Sequence, residues 1–115
     1  MNRGDVYLVN LDPIVGAEAN KTRPAVIVSN NSTNRSAAER AHGVVTVVPV
    51  TSNVERIYSF QVLLPAGTGG LRAASKAQAE QVRSLDVRRL TRLLGHVEST
   101  TIKKLDAALR LHLAL

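Results

Sequence analysis

Four short apolar runs dominate the first half of the chain, at residues 6–11, 24–29, 44–50 and 57–64. Each is rich in Val, Ile or Leu, is bounded by Gly, Pro, Asn or Ser, and is too short for an ordinary helix, so each reads as a β-strand. In the fourth run Tyr58, Phe60, Val62 and Leu64 alternate with Ile57, Ser59, Gln61 and Leu63, and the period of two assigns the first set to a core. Runs 25–28 and 44–48 are apolar at nearly every position. That pattern belongs to central strands of a curled sheet, or to strands with a second buried surface at a subunit contact. Further strands are predicted over 75–82 and 95–97, and so many short strands in one small chain predict a small barrel. Helical period appears at the C-terminus, where Ile102, Leu105, Leu109 and Leu113 recur among Lys103, Lys104, Asp106 and Arg110. Ser99 is the expected N-cap of that helix, with Glu98 beside the positive end of its dipole. A shorter helix is predicted over 86–94, ended by Gly95. Two connections, 12–23 and 30–43, are longer than a compact domain needs, which makes them candidate functional loops.

Composition narrows the class. With 115 residues, 44% hydrophobic and 21% charged, the chain reads as a single globular domain over 1–115 rather than two domains or a disordered segment. The absence of cysteine removes disulfides, thiolate metal sites and thiol nucleophiles. No stretch approaches the ~18 apolar residues of a membrane span. The first residues, interrupted by Arg3, Asp5 and Asp12, lack the apolar centre of a signal peptide. A cytoplasmic protein without membrane association is expected. The net charge of +6 is uneven: residues 1–57 hold 6 basic and 5 acidic side chains, whereas residues 58–115 hold 9 and 4. A basic domain of this kind is predisposed towards polyanions, because each phosphate neutralised by Lys or Arg releases counterions.

Some residues carry candidate chemistry. Arg23 stands directly before Pro24, which biases it to extended backbone and places its side chain at a strand mouth. A guanidinium held there is either an exposed charge or a group that stabilises a phosphorane without a metal. Thr51 and Ser52 end the third strand, where their hydroxyls either terminate it or donate to a phosphate oxygen. Gln81 either reads a base edge or faces water. His42, His96 and His112 show no metal-ligand spacing, so no metal site is expected. The glycines at 67, 69 and 70 match no phosphate-binding loop and predict a turn. The aromatics Tyr7, Tyr58 and Phe60 all fall inside predicted strands, which leaves no exposed stacking platform and assigns base recognition to polar loop groups.

Five ordered blocks, RGDVYLVNLDP (3–13), GAEANKTRPAVIVSN (16–30), VVPVTSN (47–53), FQVLLP (60–65) and AEQVRSLD (79–86), resemble the MazF/PemK family nearly end to end. The resemblance implies a mainly β fold with α, a small SH3-like β-barrel with a C-terminal helix, assembled as a homodimer. It implies a sequence-specific endoribonuclease acting on single-stranded RNA without metal or cofactor. It also implies a toxin–antitoxin module, whose antitoxin carries an acidic inhibitory segment. By position, the family's catalytic arginine falls on Arg23, its catalytic threonine on Thr51, the acid of its G-x-E loop on Glu18 and the glutamine of its acid-Gln-Val-Arg motif on Gln81. RNA-contacting roles transfer to Asn20, Ser52, Asn53 and Arg83. The first loop has no histidine, a departure from the acid–histidine pattern of some PemK-like members. RNA brings its own nucleophile, the 2′-hydroxyl, so the protein needs only alignment, charge stabilisation and proton transfer. A guanidinium keeps its proton throughout the working pH range, so Arg23 is a poor base. It is assigned to the phosphorane, Thr51 to a phosphate oxygen and Glu18 to the base. Two other readings stay open: a gyrase-poisoning toxin of the same fold, which would not need the Arg23 and Thr51 pair, and a non-catalytic nucleic-acid-binding module.

Overall fold

A computed structural model describes residues 1–11 and 22–115, so Glu18 and Asn20 lie outside the described residues. In chain order the elements are β1 (Asp5–Asn10), β2 (Thr22–Ile27), α1 (Asn31–Arg40), β3 (Val44–Thr51), β4 (Gln61–Leu64), β5 (Ser75–Gln78), β6 (Arg83–Asp86), β7 (Leu90–His96) and α2 (Ser99–Leu113). Single 3-10 turns occupy Thr68–Gly70, Ala79–Gln81 and Val87–Arg89.

The strands form one 7-stranded sheet ordered β4-β5-β3-β2-β1-β7, with β6 branching from β3. The long strand β3 is the hub of this antiparallel sheet. Its middle pairs with β2, its first half with β6 (Val44↔Asp86 to Val47↔Arg83) and its last two residues with β5 (Val50↔Ala77, Thr51↔Lys76). Strand β1 pairs with β2 on one side and with β7 on the other. The class is mainly β with α, as expected. No pairing among the described residues joins β4 to β7, however, so the sheet is open and the term barrel fits it loosely.

Both faces of the central strands are largely buried within this one chain, which explains why runs 25–28 and 44–48 are apolar at nearly every position. On one face Val6, Val26, Val48, Val50, Val62 and Leu64 pack with Leu105 and Ala108 of α2. On the other, Val9, Ala25, Ile27, Val45, Val47 and Leu85 pack with Ala37 of α1. Each fully buried valine or isoleucine contributes roughly 1.5–3 kcal/mol over leaving it exposed.

Departures from the expected elements have local causes. The 30–43 connection is not a loop but carries α1, capped by Asn30, whose side chain accepts the Thr33 N–H at 2.8 Å. The predicted 86–94 helix is absent: one 3-10 turn, capped by Asp86, leads into the strand β7. Gly95 is therefore no C-cap. It lets the Thr68–Gly70 turn cross β7, since a Cβ on Gly95 would lie 2.6 Å from the Gly69 carbonyl carbon. The 75–82 strand is broken by a 3-10 turn at Ala79–Gln81, and of the 95–97 strand Gly95 and His96 end the longer β7 while Val97 lies just beyond it. In the 57–64 run only Gln61–Leu64 is strand. The backbone turns before it, with the Gln61 N–H donating to the Tyr58 carbonyl at 2.9 Å. Val62 and Leu64 are buried as expected, Phe60 is half-buried, Tyr58 is exposed, and Gln61 is buried rather than solvent-facing. The N-cap of α2 is Glu98 rather than Ser99, and Leu113 is exposed.

Candidate active site

Strands β2 and β3 position the candidate chemistry. Their register runs Ile27↔Val47, Val26↔Val48, Ala25↔Pro49. Continued towards the strand ends, that register sets Arg23 across from Thr51. Arg23 is held from the other side as well, since its backbone is opposite Val9 of β1. Arg23 is exposed, Thr51 is half-buried, and both line one open cleft of about 420 Å³. Thr22, Ser52, Arg72 and Ser75 add polar lining, over an apolar floor that includes Val50 and Leu71.

The polar groups here are partly pre-oriented. The Thr51 Oγ1 accepts the Asn53 N–H at 3.2 Å, and among the described residues its hydroxyl hydrogen has no acceptor, so it can donate into the cleft. The Asn53 side chain in turn accepts the Glu55 N–H at 3.2 Å, which ties the segment after β3 into a local turn. Ser75 donates to the Ala73 carbonyl at 2.9 Å. Two guanidiniums and no carboxylate line the cleft among the described residues. A phosphodiester suits such a surface, because guanidinium forks and hydroxyl donors match its two non-bridging oxygens.

Of the expected site residues, Arg23, Thr51 and Ser52 come together in this cleft, and Asn53 follows directly in sequence. Gln81, exposed in a 3-10 turn, and Arg83, exposed on β6 opposite Val47, do not line it. Arg72 is the lining residue that sequence reasoning missed. It belongs to none of the recognisable blocks, and only its place just after the glycine-rich turn pointed to it. The three histidines sit apart, on the α1–β3 connection, β7 and α2; His96 Nδ1 lies 2.7 Å from Asp5 Oδ1. Burial, followed by the Asp5 charge, raises the pKa of the neighbouring Tyr7 phenol.

Fold and cleft together define a class: a small open-sheet protein with a basic, hydroxyl-rich cleft suited to a phosphodiester. The chain belongs to the family described as PemK-like, MazF-like toxin of type II toxin-antitoxin system, which matches residues 2–113. It is 53% identical over 115 residues to the endoribonuclease MazF9 of Mycobacterium tuberculosis, covering 100% of this chain and 98% of that protein. It is 31% identical over 116 residues to the endoribonuclease EndoA of Bacillus subtilis, covering 100% and 96%. A solved mycobacterial endoribonuclease in complex with its cognate antitoxin superposes with a TM-score of 0.78 at 29% identity, covering 100% of this chain and 96% of that one. No helix among the described residues is long and apolar enough to cross a membrane.

Proposed function

We propose that this chain is a sequence-specific, metal-independent endoribonuclease that cleaves single-stranded mRNA in the cytoplasm, and that it thereby acts as the growth-arresting toxin of its module. The observation that carries the reading is Arg23 and Thr51 facing one cleft from adjacent strands. The endoribonuclease names of its relatives agree with it.

In this reading the RNA 2′-oxygen attacks the adjacent phosphorus, the new O2′–P bond forms and the P–O5′ bond breaks. The 2′-hydroxyl proton passes to a base, for which Glu18 is the candidate, and the departing 5′-oxygen takes up a proton. Charge accumulates on the non-bridging oxygens of the phosphorane, where the Arg23 guanidinium is worth most. The Thr51 hydroxyl holds one phosphate oxygen and so aligns the bond for in-line attack. Ser52, Asn53, Gln81, Arg83 and Asn20 contact the RNA beyond the scissile phosphate. The products are a 2′,3′-cyclic phosphate and a 5′-hydroxyl. The working form is a homodimer, and its antitoxin neutralises it by laying an acidic segment over the same basic groove.

Incubation of a long single-stranded RNA with the protein in EDTA, followed by end mapping, tests this reading. Cleavage at one short sequence word with 5′-hydroxyl ends is expected. A need for divalent metal, or 5′-phosphate ends, overturns it, and light scattering that finds a monomer at micromolar concentration overturns the dimer.

A further inference from the structure

The segment leaving the cleft at Thr51 presents what the sequence pattern hid, an aromatic stack whose outer ring is exposed. Tyr58 and Phe60 lie with ring centroids 5.3 Å apart and planes within 6° of parallel. The Arg56 guanidinium lies over the Tyr58 ring at 5.4 Å from its centroid, and its Nη1 donates to the Tyr58 hydroxyl at 3.3 Å. Tyr58 nevertheless remains 45% exposed. Rings and a guanidinium plane gathered in one column offer their remaining exposed surface to a further planar ring.

This column is fixed from beneath by buried polar groups. The Gln61 side-chain carbonyl accepts the Tyr58 N–H at 3.1 Å, and its amide donates to Glu80 Oε2 at 2.6 Å. Lys76, only 8% exposed, donates from Nζ to the Arg56 carbonyl at 2.6 Å and lies 5.9 Å from the Tyr58 ring centroid. Lys76 is also the cross-strand partner of Thr51. The same β5 residue therefore braces the backbone that carries Arg56 and pairs with the strand end that carries the Thr51 hydroxyl. A platform so braced loses little freedom when a ligand settles on it, which is how pre-organisation raises affinity.

We propose that Arg56, Tyr58 and Phe60 form a stacking platform for one unpaired RNA base next to the cleaved phosphate. The occupant is a base, because flat π-surfaces and guanidinium planes are the groups on which splayed single-stranded bases stack. The proposal rests on the nuclease reading above, and it predicts tolerance of base identity at that position, since every base has a π-face.

The test uses a 2′-O-methyl RNA oligonucleotide, which binds but has no free nucleophile, and the Tyr7→Phe background. The chain has 2 tyrosines and no tryptophan, so Tyr58 is then the only tyrosine emitter. Binding should quench Tyr58 emission, and an abasic position at the stacked nucleotide should abolish the quench. Tyr58→Ala should weaken binding and raise KM by about 5- to 100-fold with kcat retained, whereas Tyr58→Trp should bind as well as the parent. Unmoved Tyr58 emission on binding, or parental affinity in Tyr58→Ala, overturns the platform. If the oligonucleotide quenches Tyr58 but the protein cuts no RNA, the platform stands and the nuclease reading falls. If RNA is cut while Tyr58 emission stays constant, the platform alone falls.

Discussion

Strand β3 is flanked by two polar connections that use similar residues for opposite ends. Before it, residues 30–43 spend their asparagines on protein partners, with Asn31 accepting the Arg3 N–H at 2.7 Å. Asn30 caps α1, and Asn34, fully buried, donates its amide to the Ser29 carbonyl at 2.9 Å. The Ser29 hydroxyl bonds Asn34 and accepts the Thr46 N–H at 3.0 Å, which sews the helix to β3. After β3, residues 52–60 stay irregular and largely exposed, with Thr51, Ser52 and the Tyr58 ring facing outward. The contrast teaches that polarity alone does not mark a functional loop. What separates the two segments is where the donors and acceptors end: in protein partners on one side of β3, and partly open to a ligand on the other.

The largest effect that would break this contrast is chemical. Arg23→Ala and Thr51→Ala should each lower the cleavage rate by about 100-fold or more, the size of one lost transition-state donor, while thermal unfolding stays near the parent. A variant that unfolds, or one that cleaves at the parental rate, removes that residue from the site. The mirror experiment is Asn34→Ala, which leaves the Ser29 groups short of a partner inside the core. It should cost about 1–3 kcal/mol and lower Tm by several degrees, while cleavage by the folded fraction is unchanged. Altered cleavage specificity in that variant would mean that α1 also meets RNA.

Arg72→Ala sharpens the comparison further, since this arginine lines the cleft without a place in the chemistry proposed above. A several-fold rise in KM is expected, along with a shallower dependence of log KM on log salt, by about one unit of slope for one lost phosphate contact. An unchanged salt slope would exclude it from the RNA path. The smallest effect concerns the Asp86 and Arg88 pair, bonded at 2.8 Å on the surface. The side-chain and then the backbone hydrogen bonds from Arg88 hold the Asp86 carboxyl well below the usual carboxylate range. A depressed folded-state pKa gives stability that is present above the unfolded carboxylate value and is lost as pH falls through the folded one. Exposure screens that contribution strongly. Asp86→Asn should therefore lower Tm slightly at neutral pH, and the gap should close in strong acid. A gap that widens with acid would contradict the sign.

The strands around the cleft were legible in the sequence because β1, β2 and β3 carry continuous apolar runs and α2 a 3.6-residue period. Arg23 and Thr51 were legible because they stand at the ends of such runs. Helix α1 left no hydrophobic trace: of its ten residues only Ala37 and Asn34 are buried, and Asn34 is polar. Asn30 as cap and the helix-forming Ala37, Ala38, Glu39 and Arg40 were the signals available. In β7 the reverse happened. Leu90, Leu93 and Leu94 mimic a helical spacing, yet in β7 Leu90 and Leu94 pack on different core clusters and Leu93 is 54% exposed, so the spacing marks no single helix face. Tyr58 and Phe60 alternated like strand residues, and only the Tyr58–Gln61 turn, made by a buried glutamine, redirects them. Arg72 carried no periodic signal, because its position depends on the turn at Thr68–Gly70 rather than on any period.

The pairing of β1 with β7 also sets a clock on biosynthesis. Asp5 and His96, partners across that ladder, are separated by 91 positions. At about 5–20 residues per second, the ribosome takes on the order of 5–20 s to make that span, during which β1 has only β2 beside it. Non-local closures of this kind are also intrinsically slow, since chain entropy is lost before the contact is gained. The strands that hold Arg23 and Thr51 thus emerge early into an unfinished sheet, and that edge is completed only once His96 has followed them out of the ribosome.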